Sequence, residues 1–229
     1  MRQLRDTLLT GLAPLTWGTT YIVTTELLPA GHPLFASLVR ALPAGLIALA
    51  IARQLPSGAC WWKSAVLGVL NIGAFFPLLF IAAYHLAGTS SMALGVVLAK
   101  RWGKPPQVSA VGYAGWLLTA GGLFLLPIAL LAEGIPSAIG GPALLGYAWL
   151  GIVGGLVAYT LWFRGIRILP IGSVAVLGLV SPLAAAALGA IVLGQTFGAV
   201  QSVGFVLAMT AIVGGQITAG RRKNWSKNR

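Results

Sequence analysis

The chain has 229 residues, of which 58% are hydrophobic and 8% are charged, and its mean hydropathy is +0.90. A soluble domain needs charge on about a quarter of its residues to cover its surface, so this composition excludes one that is wetted on every side. Lys and Arg number 15 against 3 Asp or Glu, a formal net charge of +12. Nucleic-acid-binding domains carry such charge on a polar surface. The composition therefore indicates an integral membrane protein that does not bind nucleic acid.

Apolar runs long enough to cross a bilayer follow one another along the chain. A hydrocarbon core of about 30 Å needs about 20 residues of helix. The predicted spans, in chain order, are residues 8–28, 33–52, 107–131, 142–163, 169–193 and 199–219, with a longer run over residues 64–99. The first run resembles a signal peptide, but it is long and no small-residue cleavage site follows, so a retained anchor helix is predicted.

The run over residues 64–99 is too long for one span and slightly short for two. A break at residues 85–88 would give a normal helix followed by a short helix from Thr89 to about Trp102. With two spans here the chain crosses eight times, and every basic residue except Arg40 falls on one side. With one span, the later basic residues change sides. The positive-inside rule therefore favours eight spans with both termini in the cytoplasm.

Arg40 is the one basic residue placed inside a predicted span. A charge within the membrane is costly and usually faces a bundle interior or a wet cavity. One alternative is that Arg40 lies near the outer edge and extends its charge to the interface. The other is that it lines a cavity and meets either an anionic substrate group or Glu26. Arg40 is the first choice for a site residue.

Several segments resemble the EamA-type drug/metabolite transporters, and within them the PecM-like branch. The matching segments are residues 13–23 (APLTWGTTYIV), 38–45 (LVRALPAG), 80–86 (FIAAYHL), 91–102 (SMALGVVLAKRW), 159–167 (YTLWFRGIR) and 179–184 (LVSPLA). The resemblance implies an all-α, polytopic bundle derived from ten helices in two five-helix halves of inverted topology. The match passes from residues 84–88 almost directly to residues 91–95, so the fourth and fifth family helices are expected to be missing.

This resemblance divides the chain into three parts. Residues 1–88 correspond to a partial first repeat of three helices, and residues 89–220 to a second repeat of five helices whose first helix is shortened. Residues 221–229 form a basic cytoplasmic tail. Loss of two spans keeps the orientation of everything that follows, which agrees with the eight spans that the charges favour.

A cavity for organic solutes is mostly apolar, with aromatic and a few polar groups. Besides Arg40, the candidate cavity residues are Trp17, Thr20, Tyr21, Asn71, Phe75, Trp116, Tyr159 and Ser181. Bundle packing or lipid contact is the alternative for each of them. The resemblance favours Trp17, Tyr21 and Arg40, which fall in segments facing the family's central cavity. Proton coupling needs a titratable group, and the candidates are Glu26 and then His85.

The functional expectation is a secondary carrier that exports a small organic metabolite, an amino-acid-like compound or a pigment. The alternative is a transport-inactive truncated membrane protein, or a partner subunit of another membrane protein. No enzymatic constellation, metal-ligand spacing or phosphate loop is visible, so neither catalysis nor a cofactor is expected. The expected partners are the bilayer of a bacterial-type inner membrane and a small organic substrate. Homodimer formation, or pairing with another membrane chain, is left open.

Overall fold

Every regular element in the described part of the chain is a helix, so the predicted all-helical, polytopic fold is confirmed. The computed structural model describes residues 2–75, 85–196, 198, 202–207 and 209–210, without the side chains of residues 2, 3, 85–89 and 171. The helices are α1 (Arg2–Gly18), α2 (Thr20–Glu26), α3 (Pro33–Ala52), α4 (Cys60–Gly68), α5 (His85–Trp102), α6 (Ala110–Ala132), α7 (Gly141–Ala148), α8 (Ala158–Ile168), α9 (Ile171–Gly178) and α10 (Val180–Leu193). A first π segment (Val69–Gly73) follows α4, and a second (Trp149–Val157) joins α7 to α8.

Four helices of the described part are long and apolar enough to cross a bilayer. They are Pro33–Ala52, Ala110–Ala132, Gly141–Ile168 and Gly172–Leu193. Each overlaps a predicted span, and α3 has the predicted bounds. Residues 76–84 and most of the predicted span 199–219 lie outside the described residues, as does the basic tail 221–229.

The predicted break at residues 85–88 is wrong, because these residues form the first turn of α5. Nothing in the sequence His-Leu-Ala-Gly stops a helix there, since a glycine inside a membrane helix is tolerated. The sequence predicts that this helix begins at Thr89, but α5 begins at His85. It ends at Trp102, as predicted.

The helix ends carry local signals that the sequence partly shows. Pro33 stands in the first turn of α3, where its missing N–H costs nothing. The Glu133 carboxylate accepts hydrogen bonds from the backbone N–H groups of Leu34 at 3.0 Å and Phe35 at 2.9 Å. The carboxylate also complements the positive end of the α3 dipole. The loop after α6 is thereby fastened to the start of α3.

α3 and α6 cross at the centre of the bundle, where glycines bring their backbones together. A Cβ atom added at Gly45 would lie 2.9 Å from the carbonyl carbon of Leu118, and one added at Gly122 would lie 2.8 Å from Cα of Leu42. Small residues at helix contacts allow this approach in membranes. The first π segment packs on α6 and the second on α3, while α1 packs against α8 and α10.

Polar contacts sort the helix ends into two groups. At one end, Arg164 pairs with Asp6 at 2.8 Å, and the backbone N–H of Ser109 donates to Gln54 Oε1 at 2.8 Å. The first contact joins the start of α1 to the end of α8. The second joins the loop after α3 to the start of α6. The opposite end holds the Glu133 cap on α3. α3 and α6 therefore run in opposite directions between the two ends, and so do α1 and α8.

Two lysines at the Asp6 end bond to backbone carbonyls. Lys100 Nζ, near the end of α5, donates to the Ile166 carbonyl at 3.0 Å in the last turn of α8. A cation there complements the negative end of a helix dipole. Lys104 Nζ donates to the Pro105 carbonyl at 2.8 Å. Burial, and then the charge of Arg167, lowers the pKa of Lys104.

Candidate functional site

The second π segment releases one backbone carbonyl from its helix. In an α-helix the N–H of Ala158 would donate to the carbonyl four residues back, that of Gly154. Here it donates instead to the carbonyls of Val153 and Gly155. The Gly154 oxygen is therefore available to side chains from neighbouring helices. Single π turns of this kind occur often at functional sites.

Trp17 and Arg40 both donate to the released carbonyl. The Trp17 indole Nε1 lies 2.9 Å from Gly154 O, and Arg40 Nε and Nη2 lie 3.4 and 3.3 Å from it. Arg40 Nη1 donates to Thr20 Oγ1 at 3.3 Å, and its guanidinium carbon lies 5.9 Å from the centre of the Trp17 ring. We call Trp17, Thr20, Arg40 and the Gly154 carbonyl the arginine cluster. It joins the first, second and sixth predicted spans.

Arg40 is 4% exposed, so its guanidinium is packed inside the bundle. Glu26 is exposed at the end of α2. In the described part of the chain the ion pair within 4.0 Å joins Arg164 with Asp6, so Glu26 is not the partner of Arg40.

Aromatic rings extend from the arginine cluster along the interior. The Trp17 ring lies 4.9 Å from Tyr159 and 5.3 Å from Trp162, measured between ring centres. Tyr159 then contacts Phe163 at 5.7 Å, and Phe163 contacts Tyr113 at 5.9 Å. Such tilted and edge-on pairs are favourable arrangements for aromatic rings. An apolar wall of aromatic rings therefore stands beside the buried guanidinium.

Three of the predicted cavity residues lie away from the arginine cluster. Tyr21 is 42% exposed, and its hydroxyl accepts a hydrogen bond from Gln195 Nε2 at 3.0 Å. The Trp116 indole donates to the Gln54 carbonyl at 2.6 Å, so it holds the loop after α3 at the Asp6 end of the bundle. Ser181 is half-buried on α10, where its backbone faces Gly18 of α1.

The first π segment releases a carbonyl in the same way. The N–H of Ala74 donates to Val69 O at 2.7 Å, five residues back, and Ser91 Oγ donates to Leu70 O at 2.9 Å. Asn71 is 2% exposed on this segment, and its Nδ2 donates to Leu67 O at 2.9 Å.

Two further candidates belong to this region. Phe75, one turn after Asn71, packs against the main hydrophobic core. His85 begins α5, and its side chain lies outside the described residues.

An open apolar groove of about 430 Å³ lies next to the arginine cluster. Its walls come from α2 and from the helix that contains the second π segment. The lining residues are Val23, Leu27, Leu145, Ala148, Trp149, Ile152 and Val153. Val23 lies one turn beyond Thr20, and Val153 is the neighbour of Gly154. The two helices that form the walls of the groove therefore also contribute Thr20 and the Gly154 carbonyl to the arginine cluster.

Sequence reasoning brings together Trp17, Thr20, Arg40 and Tyr159 by residue type, but it misses the carbonyl at the centre. The neighbouring glycines Gly151 and Gly155 lie against α3. The glycine-rich run is the one signal that could have indicated an exposed backbone here. A main-chain acceptor has no residue type of its own to recognise.

Comparison with known proteins places the chain in a family. The model of the EamA-like transporter family matches residues 84–214, which is more than half of the chain. Protein PecM of Dickeya dadantii is 35% identical over 264 residues, covering 88% of this chain and 89% of that protein. An uncharacterized inner membrane transporter of Salmonella typhimurium, YicL, is 26% identical over 107 residues, covering 47% of this chain and 35% of its own. No solved structure matches the chain. The chain therefore belongs to the EamA-like transporter family.

Proposed function

We propose that this protein is a secondary-active carrier that exports a small organic metabolite, an amino-acid-like compound or a pigment. Membership of a transporter family supports membrane transport. The buried Arg40 beside an aromatic wall is the observation that carries the substrate class, because it offers a cation and planar apolar contacts together. We therefore expect the exported compound to carry an anionic group.

The geometry of Arg40 supports exchange of its partners for a substrate. Its bonds to Gly154 and Thr20 are 3.3–3.4 Å long, beyond the usual range for N–H···O bonds. A carboxylate would form shorter, charge-assisted and bidentate bonds with the guanidinium. Trp17, at 2.9 Å, would continue to hold the Gly154 carbonyl when Arg40 turns to the substrate. The apolar groove on the shared walls would receive the apolar part of the compound.

The test is expression in a host exposed to a broad panel of toxic organic anions and neutral compounds. Cells with the wild-type protein should tolerate at least one anion better, and R40A should abolish that gain at unchanged membrane abundance. R40K should restore part of it, because it keeps the charge without the planar fork. R101A, at the exposed end of α5, is the control and should behave as wild type. If no compound responds, the proposal is wrong.

The orientation belongs to the same proposal. We place the protein in a bacterial-type inner membrane with both termini and the Asp6 end of the bundle in the cytoplasm, following the positive-inside rule. The contacts that group the helix ends support spans that cross in alternating directions. The positive charges of the loops support the cytoplasmic placement of the Asp6 end.

A second candidate is a transport-inactive remnant or a partner subunit. The alignment with PecM runs over 264 residues, whereas 88% of this 229-residue chain is about 202 residues, so about 62 aligned positions have no counterpart here. That difference is about two spans and a loop, which supports the loss of two helices. A partner subunit, or one copy of a homodimer, should copurify with a second membrane chain in mild detergent. An active carrier of one chain should transport without one.

A further inference from the structure

The first π segment gathers oxygen atoms inside the bundle. The N–H of Ala74, the α-helical donor for the Leu70 carbonyl, donates to Val69 O instead, and Ser91 Oγ lies 2.9 Å from Leu70 O. Asn71 is 2% exposed, and its Oδ1 has no hydrogen-bond partner in the part of the chain that the structure describes. An orphaned acceptor at this depth costs about 1–3 kcal/mol, so a ligand that supplies positive charge would be favourable here.

The orientation of the Asn71 amide is fixed by its surroundings. Its Nδ2 donates to Leu67 O at 2.9 Å, and turning the amide over would place two oxygens against each other. The amide also lies against Gly95, where an added Cβ would approach Asn71 Cγ to 2.6 Å. Ser91 is one turn before Gly95 on the same helix. Ser91 Oγ thus lies beside the Leu70 carbonyl, and the Asn71 amide lies beside Gly95, one turn further along α5.

The charge of the site selects among cations. The three acidic residues of the chain lie elsewhere: Asp6 pairs with Arg164, Glu133 caps α3, and Glu26 is exposed at the end of α2. Neutral oxygens can replace the hydration shell of a monovalent ion. They cannot offset the larger cost of burying a divalent ion. Unwound backbone that coordinates Na⁺ is a known device of membrane carriers.

We propose that the first π segment binds a dehydrated monovalent cation through Leu70 O, Asn71 Oδ1 and Ser91 Oγ. The first π segment packs on α6 and the second on α3, so anion and cation would occupy different π segments. A role for this cation in driving export rests on the proposed function. Its binding does not, and binding can be measured without any transported compound.

The experiment measures thermal unfolding of the purified full chain in detergent micelles, in NaCl against N-methylglucamine chloride at equal ionic strength. A cation at about ten times its Kd should raise Tm by about 3–6 °C, and the rise should saturate. S91A and N71L should lose the sodium-dependent rise. T119A is the matched control, because Thr119 also carries a buried hydroxyl without a partner in the described part of the chain, but on α6.

Two results would overturn the proposal: no sodium-dependent rise in the wild type, or a rise that S91A keeps in full. If N71L fails to fold, S91A and G95A still decide, since G95A displaces the Asn71 amide from outside the ligand set. Sodium binding with no exported compound would contradict the proposed function alone. Export through Arg40 without a sodium-dependent rise would contradict the cation site alone.

Discussion

The cost of burying single polar groups decides which residues of this bundle are constrained. Arg40 spends its donors on a carbonyl and a hydroxyl, and Asn71 satisfies its amide nitrogen but not its oxygen. Glu133 is the contrasting case, since both of its oxygens accept backbone N–H groups. Glu133 with these partners holds a helix end, whereas a ligand is proposed for the buried Arg40 and for Asn71, whose amide oxygen lacks a partner in the described part of the chain.

Removal of the Glu133 cap is expected to destabilise the protein without touching the arginine cluster. E133A leaves the N–H groups of Leu34 and Phe35 without their acceptor, which typically costs about 1 kcal/mol. E133Q keeps one acceptor oxygen and should cost less. Thermal unfolding in micelles measures both, with E26A, an exposed carboxylate on α2, as the control. Equal Tm values for E133A and E26A would contradict the assigned cap.

At the scale of elements, the two π segments are the parts of the fold that matter most. Each one lies in a helix that packs on a central helix of the bundle, and each releases one carbonyl to a neighbouring side chain. The second π segment also sets the distance to α3. A Cβ atom added at Gly155 would meet the Arg40 carbonyl oxygen and would lie 2.9 Å from Ala44 Cβ.

Neighbouring glycines of the second π segment should respond differently to alanine. G155A places a methyl group against backbone of α3, and overpacking of this kind costs about 1–3 kcal/mol. G154A places a methyl 3.5 Å from Arg40 Nε, an ordinary contact, and should keep wild-type stability. Thermal unfolding and elution profiles of the two purified variants provide the comparison. Similar losses in both would show that the segment does not pack as closely as described.

These elements mark how far sequence reasoning reaches. Pro33 and Arg53 bound an apolar run, so the limits of α3 could be predicted from hydropathy alone. The sequence predicts a span that stops before Arg164, but the helix continues to Ile168, and Arg164 pairs with Asp6 within its last turns. The π segments are invisible to hydropathy, since a shift of one backbone bond changes no residue type. The sequence could therefore predict which side chains belong to the site, but not which of them lie in contact with each other.

At the scale of the whole molecule, charge and contacts agree on two ends. The loops after α3 and α5 and the last turns of α5 and α8 carry basic residues, and contacts bring these parts of the chain to the end that holds Asp6. The loops after α2 and α6 lie at the other end, joined by Glu133. Once one of these loops is located on a side of the membrane, this arrangement predicts the side of the others.

Reporter fusions should divide these loops into two sets. Fusions after Arg53, Lys104 and Leu169 should report the cytoplasm, and fusions after Gly31 and Gly134 should report the outside, because helices between them cross alternately. Paired alkaline phosphatase and fluorescent protein reporters read the two sides in intact cells. A fusion after Lys104 on the same side as one after Gly134 would show that α6 does not cross the membrane.

The Gly154 carbonyl has a consequence for how such a site evolves. The acceptor at its centre is a main-chain atom, and no codon specifies it. Substitution of Trp17 or Arg40 removes a donor but leaves this carbonyl in place, so mutational scans would identify these two residues and not the atom that they share. A change in helix length is different, because one residue fewer rotates everything beyond it by about 100°. The Gly154 carbonyl thus keeps its place when Trp17 or Arg40 is replaced, whereas deletion of one codon within its helix would displace it.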